Sequence, residues 1–142
     1  MAGFEYQVAD YTSSDYGDVM AIGGKTKTDE AIIMIYDTKH ESEPTRIHKA
    51  SSVQVSDSEM VVVTGVLAIH AYKDDSSGLS VMGVFDAESS LVLFLSEGDS
   101  LKIFSASGPS SSYACDGMFK QNMLSFADPT RSVFCYIDCD SP

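Results

Sequence analysis

Turn-forming segments recur at near-regular intervals in the second half of the chain, and this rhythm restricts the fold more than any other feature. Stretches rich in Asp, Ser, Glu and Gly begin at residues 74, 86 and 96, which gives spacings of 12 and 10 residues. Apolar segments follow them at residues 79–85, 91–95 and 101–104. Such spacing is typical of antiparallel sandwiches and barrels, in which consecutive strands are joined by hairpin turns.

Strand signals also occur elsewhere in the chain. Residues 31–36 form a continuous apolar run, which is typical of a strand that is covered on both faces. The longest apolar stretch, residues 60–72, is rich in β-branched side chains, and these favour strand over helix. Gly65 interrupts this stretch and predicts a bulge or a bend. Residues 132–137 are predicted to form the last strand.

The N-terminal part of the chain is less regular. Phe4, Tyr6 and Val8 alternate with polar residues, so we predict that residues 1–30 form an N-terminal arm or edge strands. Residues 31–142 are predicted to form the β-sandwich itself, within a single domain overall. The predicted fold class is all-β: an antiparallel β-sandwich or jelly roll of roughly nine strands with little helix.

Acidic residues outnumber basic residues. The 9 Lys and Arg residues against 21 Asp and Glu residues leave a net charge of −12 at pH 7. Binding to the phosphates of nucleic acids or anionic lipids requires clustered Lys and Arg, so we expect no nucleic-acid and no membrane partner. No stretch reaches the roughly 18 apolar residues of a transmembrane helix. The first residues form neither a basic nor an apolar leader, so no secretory signal is expected.

Three cysteines are present: Cys115, Cys135 and Cys139. On an extended strand, residues four apart lie about 13 Å from each other, which puts the last two beyond disulfide reach. A disulfide between Cys115 and either of them stays open as an alternative. The odd number favours free thiols in a protein made in a reducing cytosol.

Candidate catalytic residues are few. Residues 98–101, Gly-Asp-Ser-Leu, resemble the motif of the serine esterases that are named after those four residues. In that family a histidine follows far downstream, whereas no histidine follows residue 70 here. A serine nucleophile needs a positioned base, so we interpret Ser100 as a hairpin residue and predict no catalytic residue. A small hydrolase that uses Ser100 or a pair of carboxylates is one alternative.

Potential metal ligands do not have the spacing of a known site. A zinc site would need His70 together with the three cysteines, of which only Cys135 and Cys139 have local spacing. Calcium prefers clustered oxygen ligands, which leaves the acidic turns as candidates: Asp74, Asp75, Asp138 and Asp140. Neither turn has the EF-hand order of residues. We therefore interpret them as solvated turns and predict no metal and no cofactor.

Two segments, residues 65–72 (GVLAIHAY) and 91–103 (LVLFLSEGDSLKI), carry a family resemblance. They are similar to the trimeric jelly rolls of the tumour-necrosis-factor and complement-head type, and to the knobs and decoration domains of phage and virus particles. In those families an apolar strand, a Gly-Asp turn and another apolar strand occur late in the sandwich. The resemblance implies a homotrimer that acts through protein–protein assembly. The absence of a signal favours the viral families, because virion proteins assemble inside the host cell.

The function predicted from the sequence is therefore structural and non-catalytic. We expect a virion subunit of the capsid-decoration or fibre-head type, made in the host cytoplasm. Its partners would be further copies of itself and a capsid or tail protein, with Phe4, Tyr6 and Val8 as docking residues. The alternative is a carbohydrate- or protein-binding β-sandwich module with aromatic ligand contacts, for which the candidates are Tyr72, Tyr113 and Phe119.

Overall fold

The structure is a computed structural model that describes residues 3–15, 17–37, 43–74, 78–87, 91–106, 110–113, 123–128 and 133–138. These residues form twelve β-strands and contain no helix, so the prediction of an all-β chain is confirmed for them. It follows that the described part of the chain has no helix long and apolar enough to cross a membrane.

The first four strands form an antiparallel sheet in which each strand pairs with its neighbours in sequence. They are β1 (Phe4–Ser14), β2 (Gly17–Thr26), β3 (Ala31–Asp37) and β4 (Arg46–Ala50). Strands β1 and β2 are therefore integral to this sheet, with β1 at its edge.

The next five strands form a second antiparallel sheet, again in sequence order. They are β5 (Ser52–Ser56), β6 (Glu59–Asp74), β7 (Gly78–Ala87), β8 (Leu91–Glu97) and β9 (Ser100–Ala106). Strands β7 to β9 confirm the segments predicted from the turn spacing. Gly98, in the last turn, has a φ of +57°, which glycine adopts without strain. The edge strands β5 and β9 contact each other, so the sheet is curled.

Three further strands form a small sheet in the order β10-β12-β11. They are β10 (Ser110–Tyr113), β11 (Met123–Asp128) and β12 (Val133–Asp138). β12 pairs in parallel with β10 and antiparallel with β11, and β11 contacts β6. β12 matches the predicted last strand and contains Cys135. Cys115 and Cys139 lie outside the described residues, so the disulfide question stays a prediction.

The four- and five-stranded sheets share one hydrophobic core. Its buried side chains come from both sheets: Val19, Ala21, Ala31, Ile33, Ile35, Val53, Val61, Val63, Val66, Ile69, Ala71, Leu79, Val81, Phe85, Ala87, Val92 and Phe94. The rings of Phe85 and Phe94 lie 4.6 Å apart between centroids. β3 is buried on both faces, as predicted, because Ile32 and Met34 on its other face are each 2% exposed.

Strand order in these two sheets follows the sequence without crossovers. A jelly roll consists of two Greek keys, in which strands distant in sequence pair with each other. The order observed here is that of two meanders, so the jelly-roll alternative does not describe these two sheets. The cause is local, because short connections within a sheet, such as residues 57–58 between β5 and β6 and residues 98–99 between β8 and β9, hold sequence neighbours together.

Two irregularities set how the sheets fit together. The register of β1 shifts around Gln7, and the register of β6 shifts just before Gly65, which confirms the bulge or bend predicted there. The sheets approach closely where β2 meets β6, because a Cβ on Gly23 would lie 2.8 Å from the Cβ of Val66. A larger residue at position 23 would therefore push the two sheets apart.

Candidate functional site

The four-stranded sheet has a second face that points away from the core. Side chains alternate along a strand, so the residues between the core positions of β2 and β3 point to this face, as do the residues that pair with them in β1 and β4. We call this set the outer face: Phe4, Tyr6, Ala9, Tyr11, Ser13, Asp18, Met20, Ile22, Gly24, Thr26, Ile32, Met34, Tyr36, Ile47 and Lys49.

The outer face is apolar and has exposed aromatic side chains on its β1 side. Tyr6 is 62% exposed and Tyr11 is 58% exposed, and Ile47 on β4 is 45% exposed. The only charged members of the set are Asp18 and Lys49, which have opposite sign, and the hydroxyl of Tyr11 donates to Oδ2 of Asp18 at 2.9 Å. The face is thus close to neutral in a chain with a net charge of −12.

The three predicted docking residues do not share this face. Phe4 and Tyr6 belong to it, and a Cβ on Gly24 would lie 3.2 Å from Cδ2 of the Phe4 ring. Val8 instead packs against the core. The reason is the bulge at Gln7, because one extra residue in a strand reverses the side on which the following side chains lie.

A seam of side-chain hydrogen bonds joins β1 to the edge of β6. Oε1 of Gln7 accepts the backbone N–H of Val66 at 2.7 Å, and Oδ2 of Asp10 accepts the backbone N–H of Ala71 at 2.8 Å. A Cβ on Gly65 would overlap the Gln7 amide, so the absence of a side chain there makes room for the first contact. These bonds satisfy N–H groups on a stretch of β6 that β5 does not reach, which also shields that edge from foreign strands.

Asp10 is the most connected residue of this seam. Besides the N–H of Ala71, its Oδ2 lies 3.0 Å from Nδ1 of His70 and accepts the Thr12 hydroxyl at 3.2 Å. Asp10 therefore provides a partner for the His70 imidazole as well as for the backbone of β6.

Replacing Asp10 with Ala is expected to lower the free energy of unfolding by about 2 kcal/mol, because the part-buried N–H of Ala71 loses its acceptor. Asp15→Ala is the matched control, since Asp15 is exposed near the end of the same hairpin and should change stability by less than about 0.5 kcal/mol. Urea denaturation monitored by circular dichroism gives both values. Equal stability of the two variants would show that the seam contributes nothing.

A second seam joins β4 to the five-stranded sheet. Nη1 of Arg46 donates to Oγ of Ser96 at 2.9 Å, and Nη2 donates to the backbone oxygen of Leu79 at 2.7 Å. Nε2 of His48 lies 2.7 Å from the same Ser96 Oγ. Next to this seam, Nζ of Lys73, which pairs with Leu79, donates to Oδ2 of Asp37 in β3 at 2.8 Å.

Burial changes the acid–base properties of the β4 seam. It lowers the pKa of His48 from its ordinary value of 6.5; the adjacent charge of Arg46 lowers this pKa further, and Asp99 opposes both. Burial also lowers the pKa of Arg46 from its ordinary value, against the opposing charges of Asp99 and Glu97. Arginine stays cationic at any physiological pH, so the seam combines a fixed charge with a histidine that resists protonation.

The predicted aromatic ligand contacts are not brought together by the described backbone. Tyr72 lies in β6 and pairs with Ser80 of β7. Tyr113 lies in β10, in the small sheet, and pairs with Ile137. Phe119 lies outside the described residues. The ligand-binding alternative therefore gains no geometric support from the described part of the chain.

The candidate metal and nucleophile positions are also dispersed. Asp74 ends β6 and Asp138 ends β12, whereas Asp75 and Asp140 lie outside the described residues. No group of three or more His, Cys, Asp or Glu that could hold a metal ion occurs among the described residues. Ser100 begins β9 opposite Glu97.

Both histidines in the described ranges are engaged away from Ser100, because His48 bonds to Ser96 and His70 to Asp10. Neither of these histidines is therefore positioned as the base that a nucleophilic Ser100 would need.

Neither seam was predicted from the sequence. Asp10, Arg46 and His48 sit at inward positions of alternating strands, and a polar residue at such a position was the signal that could have found them. Their partners lie 61 residues away for Asp10 and Ala71, and 50 and 48 residues away for Ser96. Strand periodicity shows which face a residue occupies but not which distant residue it meets.

Comparison of the chain with models of protein families, with curated proteins and with solved structures finds no match. Nothing in these comparisons points to an enzyme, and no catalytic arrangement occurs among the side chains described above. No relative therefore supplies an activity or a partner, and the outer face and the seams are the features of the described structure on which a function can be argued.

Proposed function

We propose that the protein is a non-catalytic structural subunit that works by assembling with further copies of itself through the outer face. The observation that carries this proposal is the pair of exposed tyrosines, Tyr6 and Tyr11, on an otherwise apolar sheet face. Tyrosine is enriched in protein interfaces, because its ring buries a large apolar area while its hydroxyl keeps a polar contact. Ile47 is a third exposed apolar side chain at the β4 edge of the face, whereas Ile32 and Met34 between the two edges are each 2% exposed. The apolar surface open to a partner therefore lies along β1 and β4, and exposed apolar side chains of this kind are typical of an interaction site.

The charge distribution favours a second copy of this chain as the partner. Two copies that each carry −12 repel one another over most of their surfaces. The outer face avoids this repulsion, because it contains one carboxylate and one ammonium group. Asp18 lies at one end of the outer face, two residues before Met20 on β2. Lys49 lies at the opposite end, where it pairs with Ile32 of β3. Neighbouring copies can therefore bring these opposite charges together.

The proposed setting is a virus or phage particle, in which a trimer of this chain would decorate a capsid or form a fibre head after synthesis in the host cytoplasm. The support for this setting is the sequence resemblance of residues 65–72 and 91–103. We further propose that the four- and five-stranded sheets pack as a β-sandwich. The shared core of the two sheets supports this arrangement.

Sedimentation of the wild-type protein at increasing salt tests the proposal. Raising the ionic strength from 0.1 to 1 M shortens the Debye length from about 10 to about 3 Å, which screens the repulsion between acidic copies and leaves apolar contact intact. We expect the assembled fraction to rise with salt and with protein concentration. A fraction that falls with salt would contradict an apolar contact and would indicate assembly by charge attraction instead.

A further inference from the structure

The β4 seam depends on a serine that has one proton to donate. Oγ of Ser96 lies 2.9 Å from Nη1 of Arg46 and 2.7 Å from Nε2 of His48. A guanidinium group only donates, so Ser96 accepts from Arg46. Its own proton is then directed to Nε2 of His48, which requires that this nitrogen carries no proton. The arrangement that satisfies all three side chains therefore has a neutral His48 with its proton on Nδ1.

A protonated His48 does not fit this arrangement. Its Nε2 would become a donor, so Ser96 would accept two hydrogen bonds and its hydroxyl proton would need another acceptor. The only side-chain contacts described for Ser96 are those with Arg46 and His48. Ser96 is also 0% exposed, so water does not reach it. Protonation thus leaves a buried donor unsatisfied and places a second positive charge beside Arg46, and both effects are unfavourable.

The β1 seam responds in the opposite way. Nδ1 of His70 lies 3.0 Å from Oδ2 of Asp10, and a protonated imidazole still donates from this nitrogen to the carboxylate. The carboxylate acceptor is ionised in either case, so the bond is already charge-assisted, and a positive charge on the imidazole adds an attraction between opposite charges. Mild acid therefore leaves the contact between β1 and β6 in place.

We infer that the protein contains an acid-sensitive latch: protonation of His48 releases β4 from Ser96 and the five-stranded sheet, while the Asp10–His70 contact holds β1 against β6. The two sheets then loosen on the β4 side, where the contact of Arg46 with Leu79 and the Lys73–Asp37 ion pair remain. The charged groups described around the latch are Arg46 on the same strand, Glu97 at the end of β8, Asp99 in the following turn, and the Lys73–Asp37 ion pair beside Leu79. Glu97 is also paired with Lys102 at 3.7 Å.

The direction of the pH effect follows from the lowered pKa of His48. The unfolded chain takes up a proton near the ordinary value of 6.5, whereas the folded chain takes it up only at lower pH. Below about pH 6.5 the unfolded or opened state therefore binds more protons, and stability falls as the pH falls until the lowered pKa is passed. A pKa difference of one unit between the closed and open states corresponds to a tenfold change in the opening equilibrium.

Amide hydrogen exchange at pH 7.5 and 5.5, corrected for intrinsic rates, tests the latch. We expect the protection factors of residues 46–50 to fall several-fold at the lower pH, while those of residues 66–71 stay unchanged. In His48→Gln the side-chain oxygen still accepts from Ser96 at every pH, so the fall should disappear. His70→Gln is the matched control and should retain it. Equal protection of β4 at both pH values in the wild type would overturn the inference.

Nitrogen-15 NMR of the wild-type imidazoles provides a test that does not depend on the variants folding. The latch requires His48 to carry its proton on Nδ1 at pH 7.5 and to titrate below 6.5. A proton found on Nε2, or a titration at or above 6.5, would contradict it. The latch concerns a contact inside one chain, so a monomeric protein with a working latch would refute the proposed assembly and leave this inference intact.

Discussion

Gly83→Ala is expected to lower the free energy of unfolding by about 3 kcal/mol. Gly83 is buried in the middle of β7 between Ile69 of β6 and Phe94 of β8. A Cβ at this position would overlap the carbonyl oxygen of Ala68 and the ring of Phe94. The backbone oxygen is held by the sheet and the ring is in the shared core, so neither moves without disturbing its neighbours.

Gly65→Ala is the matched control for this prediction. Its Cβ would meet the side-chain amide of Gln7, which is flexible and can turn away. The expected loss is about 1 kcal/mol, which corresponds to the hydrogen bond that the N–H of Val66 donates to the side-chain oxygen of Gln7. Urea denaturation of the two variants gives the comparison. If Gly83→Ala were no less stable than Gly65→Ala, the packing of β7 against β8 described here would be wrong.

The double variant Tyr6→Glu/Ile47→Glu is expected to abolish assembly. It places two carboxylates at the exposed margins of the outer face, where each would have to be desolvated in the interface. We expect the dissociation constant to rise at least about 100-fold, at a cost of roughly 1.4 kcal/mol for each factor of ten. Both positions are largely exposed in the single chain, so the fold should tolerate the change.

Met60→Glu/Val62→Glu is the control for this pair. Met60 is 59% exposed and Val62 is 64% exposed, and both lie on β6 outside the outer face. The control adds the same charge to equally exposed apolar positions, so it separates loss of the interface from a general increase in repulsion. If both double variants lost assembly to the same extent, the result would contradict an interface on the outer face.

Strands whose ends are set by residues close together in the sequence could be predicted. The turns around residues 74, 86 and 96 join consecutive antiparallel strands, and each depends on residues within a few positions of one another. The all-β class and the strand β3 with two buried faces follow from the same kind of local pattern. The irregularity at Gly65 was also predictable, because a glycine inside a long β-branched run marks a place where a side chain does not fit.

Features that depend on distant residues were not predictable in this way. The alternation of Phe4, Tyr6 and Val8 continues through the bulge at Gln7, so nothing in the pattern shows that Val8 turns to the core. The order of strands is likewise not a property of any one strand, and the meander arrangement appears only once the pairing is known.

Only part of the candidate site was predicted from the sequence. Tyr6 was singled out because it alternates with polar residues, whereas Tyr11 lies beyond the bulge, where that alternation no longer holds. The latch was missed because the proximity of Arg46 and His48 to Ser96 is set by the packing of the two sheets. A polar residue at an inward strand position indicates that a partner exists, but the sequence does not say which one.

Light scattering of the wild-type protein and the Tyr6→Glu/Ile47→Glu variant, at matched concentration and salt, is the most direct test of the proposed assembly. We predict a wild-type mass near three times 15.3 kDa and a variant mass of 15.3 kDa. The Met60→Glu/Val62→Glu control should keep the wild-type mass. A wild-type protein that stays at 15.3 kDa at every concentration, or a Tyr6→Glu/Ile47→Glu variant that keeps the assembled mass, would contradict assembly through the outer face.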